Sequence, residues 1–133
     1  MNTLIIFYPG CNDQDLIFTT KLLHAYGEIK TCTENGKDFE STSGLFYKVD
    51  YSFSNVDLSK MSYVLIPDGD INELKKNIAL KNLLINCSRK HLKIGCLGNS
   101  IELINSFEIS DSPNLITSIS KNVEFSLDIA TRA

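Results

Sequence analysis

Three short, mostly apolar runs constrain this chain more than any other feature. They are TLIIFY at Thr3–Tyr8, MSYVLIP at Met61–Pro67 and LKIGCL at Leu92–Leu97. None alternates apolar with polar residues as a half-exposed strand would. A continuous run of this length reads as a strand covered on both faces, which is the habit of parallel sheets.

The segments between the runs carry helical spacing. After Pro9-Gly10, Asn12 or Asp13 can cap a helix with Leu16, Thr19, Thr20 and Leu23 on one face, closed by Gly27. Ile29–Thr33 reads as a second strand, and Asn35-Gly36 as a turn. STSGLFYKVDYSF, residues 41–53, reads as an extended or hairpin excursion. Leu74, Ile78, Leu84 and Cys87 predict a long helix over about Asn72–Arg89, and Ser100–Phe107 a shorter one. Asn114–Ser118 reads as a last strand and Val123–Ala130 as a closing helix. Strands alternating with helices imply an α/β protein with a mostly parallel sheet and helices on both faces. Ligands of such sheets sit at the carboxyl ends of strands. The loops after Tyr8, Ile66 and Leu97 are therefore where a small-molecule ligand is expected.

At 133 residues the chain reads as one domain, 1–133, of ordinary globular composition. A net charge of −3 gives no footprint for nucleic acid. No stretch approaches the roughly 18 apolar residues of a membrane span, and the N-terminus lacks the basic region of a secretory signal. Neither nucleic acid nor membrane is expected as a partner. Cys11, Cys32, Cys87 and Cys96 form no C-x-x-C pair, and no histidine stands at ligand spacing from them. No metal or cofactor is expected, and the thiols read as reduced and cytoplasmic.

The three loops read YPGCNDQD, IPDGD and LGNS. Here the chain resembles the ThiJ/PfpI family of the class I glutamine amidotransferase-like superfamily. IIFYPGCNDQDL resembles its first strand and acidic turn, and ENGKDFESTSGLFYKVDYSF its excursion. YVLIPDGD resembles its strand and P-G-G turn, KIGCLGNSIELI its strand–turn–helix elbow, and NLITSISKNVEFSLDIA its closing segment. The resemblance runs in order over nearly the whole chain. It implies a flavodoxin-like three-layer sandwich, often dimeric. In active members it implies a cysteine nucleophile at the elbow, an acidic side chain from the first loop and often a later histidine.

Two registers of the elbow follow. In one, Cys96 is the nucleophile with Asp15 as the acidic neighbour, and the chain is a minimal cysteine-dependent hydrolase, a deglycase-type enzyme or a thiol sensor. That register sets Lys93 in mid-strand, where an unpaired lysine is costly. In the other, Ile94-Gly95-Cys96-Leu97 fill the strand and Gly98 takes the nucleophile position. Burial favours the second. Only Glu108–Asn114 separates the elbow helix from the last strand, and it holds no histidine. His24 and His91 do not match the family's position and read as surface residues. Gly69 matches the second glycine of P-G-G, whose N–H helps form an oxyanion site in active relatives. Asp68 replaces the first glycine and would repel an oxyanion if turned inward. Cys11, Asp68, Gly69, Gly98 and Asn99 are thus the expected pocket. The expected function is a non-catalytic binding, sensing or assembly module. The short segment after the elbow would leave apolar surface for a homo-oligomer, a dimer by the family's habit. A phospho-accepting receiver, suggested by Asp68, lacks the acidic partners after the first strand and the lysine after the last.

Overall fold

A computed structural model describes residues 2–14, 16, 20, 24, 25, 27–109 and 115–117, the last three by backbone alone. Six strands form one sheet: β1 (Thr3–Ile6), β2 (Ile29–Thr33), β5 (Tyr51–Ser52), β6 (Tyr63–Ile66), β7 (Lys93–Cys96) and β8 (Leu115–Thr117). Their order is β5-β2-β1-β6-β7-β8, and every pairing is parallel. β1 and β6 are buried at every position, as their mostly apolar runs imply. Together with the helices this is the flavodoxin-like α/β architecture. One cluster of buried side chains, from Leu4 to Ile109, runs through the sheet and its covering elements.

The excursion divides. Phe39–Glu40 (β3) and Phe46–Tyr47 (β4) pair as an antiparallel hairpin. Tyr51–Ser52, expected to belong to the excursion, instead joins the main sheet as an edge strand beside Cys32 and Thr33. Asp50 fixes that edge: its carboxylate accepts the Thr31 N–H at 2.9 Å, and its N–H donates to the Thr31 carbonyl at 3.0 Å.

The long helix expected from Asn72 also needs correction. Leu74–Lys76 is a separate 3-10 turn, and α1 spans Ile78–Arg89. Asn77 stays extended, and its side chain accepts the Leu80 N–H at 2.9 Å, so it starts the helix from outside. The inward stripe is Leu80, Leu83, Leu84 and Cys87, while Ile78 is 72 % exposed. A second helix, α2, covers Ile101–Ser106 and buries Leu103 and Ile104. Both helices end the same way. Leu92 N–H reaches back to the Cys87 carbonyl and Ile109 N–H to that of Ile104, across His91 and Glu108 at φ 58° and 59°. These are Schellman caps without the customary glycine.

Leu16, Thr20 and His24 are helical, one turn apart, in the first expected helix. His24 and His91 are exposed. Among the described residues no helix is long and apolar enough to cross a membrane. Asp15, most of the segment after Ile109 and the expected closing helix lie outside the described residues.

Candidate functional site

The sheet grows outward from β1 to β2 and β5, then returns to the other side of β1 with β6. The loops after β1 and β6 therefore face each other at the switch point. They are zipped together. Cys11 and Gly69 form an antiparallel bridge, the Asn12 N–H donates to the Asp68 carbonyl at 2.7 Å, and the Tyr8 hydroxyl donates to the Pro67 carbonyl at 2.5 Å. The approach is so close that a Cβ on Gly69 would lie 2.6 Å from the Gly10 carbonyl oxygen and 2.7 Å from Cys11 Cα. Only glycine fits there.

The elbow completes the group. Cys96 is the last residue of β7, opposite Ile66 on one side and Thr117 on the other, and is fully buried. Leu97 N–H donates to the Ile66 carbonyl at 3.0 Å. Gly98 then turns the chain at φ 56°, a left-handed conformation that suits glycine. Ser100 Oγ, also buried, donates towards the carbonyls of Leu97 (2.8 Å) and Ile66 (3.1 Å).

Asp68 dominates the remaining space. Its Oδ1 accepts the N–H of Asn99 at 2.8 Å and that of Gly69 at 2.9 Å. A Cβ built on Gly98 would overlap the Asp68 carboxylate, both oxygens included. The side chain that a nucleophile at Gly98 would present is thus replaced by a carboxylate from the neighbouring loop. The Gly69 N–H, expected as an oxyanion donor, is already bonded. Asp68, Gly69, Gly98 and Asn99 lie together, and Cys11 pairs with Gly69.

Burial disfavours the thiolate form of both thiols here. Burial pushes Cys96 up to about 12, and a hydrogen bond with Ser100 offsets this only in part. Burial pushes Cys11 up to about 11, with the Tyr8 backbone hydrogen bond opposing and Asp13 adding. The Tyr8 phenol is held far above its ordinary range, first by burial and then by nearby Cys11, Asp68 and Asp70. No group of three or more His, Cys, Asp or Glu side chains that could hold a metal occurs among the described residues.

One residue here escaped sequence reasoning. Asp13, expected only as a helix cap, is a fully buried carboxylate. Its oxygens accept the Tyr47 hydroxyl and the Ser43 hydroxyl, each at 2.8 Å. Burial pushes its carboxyl up, but hydrogen bonds from Tyr47, Ser43 and Ser41 outweigh this and leave it below the ordinary carboxylate range. It ties the hairpin onto the first loop. The only signal in the sequence was an acidic residue followed by a hydroxyl-rich STSG some thirty positions later, which spacing alone could not pair.

The sheet order and the strand–turn–helix elbow define the class: a doubly wound, flavodoxin-like α/β protein whose elbow carries glycine. More narrowly, the fold is that of ThiJ/PfpI and DJ-1 superfamily proteins. A ThiJ/PfpI domain protein from Brachyspira murdochii superposes with a TM-score of 0.84 at 13 % identity, over 98 % of this chain and 94 % of that one. DJ-1beta from Drosophila melanogaster gives 0.81 at 19 % identity, over 98 % and 89 %. Oxidized DJ-1 from Toxoplasma gondii gives 0.78 at 15 %, over 96 % and 88 %. No family model and no curated protein matches the sequence. The likeness is one of fold.

Proposed function

We propose that this chain is a non-catalytic binding, sensing or assembly module on the ThiJ/PfpI and DJ-1 fold. The observation that carries the reading is the Asp68 carboxylate, which fills the space above Gly98 and takes the N–H groups of Gly69 and Asn99. A site of this kind accelerates acyl or carbonyl chemistry through a nucleophile and open N–H donors. Here the first is absent from the elbow and the second are satisfied by a negative charge of the chain's own. The burial and raised pKa of Cys96 support the same conclusion, since the thiolate is the reactive form.

The test is site-resolved alkylation of the native protein with trace iodoacetamide, from mildly acidic to mildly alkaline pH, each cysteine read by mass spectrometry. Cys96 is expected to label only on denaturation. Rapid labelling of Cys96 below neutral pH would overturn the reading and favour a cysteine enzyme or thiol sensor.

The module reading includes self-association. Leu45 and Phe46, at the hairpin end, are 48 % and 76 % exposed, a pair of large apolar side chains that a second copy would cover. Four free, buried cysteines suit a reducing setting such as the cytoplasm.

A further inference from the structure

The reversal of the sheet between β1 and β6 opens a crevice beyond the strand ends. On its β2 side lies a cleft of about 750 Å³. That is within the roughly 300–1,000 Å³ of small-molecule sites. None of Asp68, Gly69, Gly98 and Asn99 lines it, so it is separate from the elbow. Phe39 is the part-open aromatic ring of its lining: it stacks on Phe7 with ring centroids 5.3 Å apart, while Phe7 and Phe53 behind it are almost wholly enclosed.

Its rim is charged and unbalanced. Glu34, Asp38, Asp70 and Glu73 stand against Lys37 and Lys76, four carboxylates to two ammonium groups. Asp38 and Asp70 each already accept a backbone N–H, from Val49 and Asn72, both at 3.1 Å. The side chains of Glu34 and Glu73 make no hydrogen bond or ion pair among the described residues, and neither do those of the two lysines. The net field over the cleft is therefore negative, and two of its sources are open.

We infer that this cleft binds a small organic cation with a flat apolar body. The body lies against the Phe39 ring, which also attracts positive charge. The cationic end meets the acidic rim, with Glu34 and Glu73 the carboxylates open to it. The inference deepens the module reading by naming a ligand class, and it rests on that reading.

The test titrates the full chain with tryptamine, tryptophol and indoleacetate, which share a ring and differ at the charged end. Binding is followed by calorimetry and by backbone amide shifts around the cleft. Tryptamine is expected to bind best and indoleacetate worst. Glu34→Gln and Glu73→Gln should each weaken tryptamine about two- to fivefold and leave tryptophol unchanged, as for partly exposed ion pairs. Glu102→Gln, outside the cleft, should change neither. Indoleacetate binding as tightly as tryptamine would overturn the inference. So would the absence of cleft shifts at millimolar tryptamine, or an equal loss in Glu102→Gln. Alkylation of the same samples without ligand separates the two readings. A reactive Cys96 beside a cation-selective cleft sinks the module and keeps the cleft, whereas an inert Cys96 with no cleft binding does the reverse.

Discussion

If the Asp68 carboxylate occupies the space above Gly98, substitutions at the two positions must be strongly coupled. Asp68→Ala removes two charge-assisted hydrogen bonds, to Gly69 and Asn99. Such bonds contribute about 1.5–3 kcal/mol each when buried. Asp68 is only half-buried, so about 1 kcal/mol each, or about 2 kcal/mol together, is the reasonable expectation. Gly98→Ala places a residue at φ 56°, which costs roughly 1–2 kcal/mol in a left-handed conformation. Its Cβ also evicts the carboxylate, so the same two bonds are lost, and the total is about 3.5 kcal/mol. The double variant loses those bonds once. It should be no less stable than Gly98→Ala alone, at about 3.5 kcal/mol rather than the additive 5.5 or so. The coupling of about 2 kcal/mol is read from urea denaturation of the four proteins, comparing midpoints at constant slope. Additivity within about 0.5 kcal/mol would refute the placement of the carboxylate over Gly98.

The buried Asp13 gives a pH prediction. Its folded pKa is depressed, so its stabilisation is present above the ordinary carboxyl range and is lost as pH falls through the folded value. Wild-type stability should therefore drop on acidification more steeply than that of Asp13→Asn, and parallel urea midpoint curves would contradict the assignment. Tyr47→Phe removes one donor to that buried carboxylate and should cost about 1–3 kcal/mol in the same assay. Glu108→Gly, at φ 59°, should stabilise the chain by about 0.5 kcal/mol, the relief of left-handed strain less the entropy of glycine. Phe46→Asp should lower the sedimentation coefficient at high concentration if the hairpin end is the self-association surface, while leaving the thermal midpoint nearly unchanged.

What the sequence by itself determined is what local periodicity encodes. The runs LIIFY, YVLI and IGCL specified buried parallel strands because a strand covered on both faces favours apolar side chains throughout. The order of these runs with helical segments specified the doubly wound sheet, and LGNS specified the elbow. Local signals failed where a long-range partner intervened. Tyr51–Ser52 joined the main sheet because Thr31 and Asp50 hold that edge across some twenty residues. Asn77 was instead a competing local signal: its side chain accepts the Leu80 N–H, so α1 starts later than the apolar spacing suggested. Only the tertiary structure decided the chemistry of the site. It turned Asp68 onto the N–H groups of Gly69 and, thirty-one residues away, Asn99. It also joined Asp13 to hydroxyls thirty and more positions on. A carboxylate's partners are chosen by which buried donors the fold leaves unsatisfied, and that is a property of packing which no spacing along the chain records.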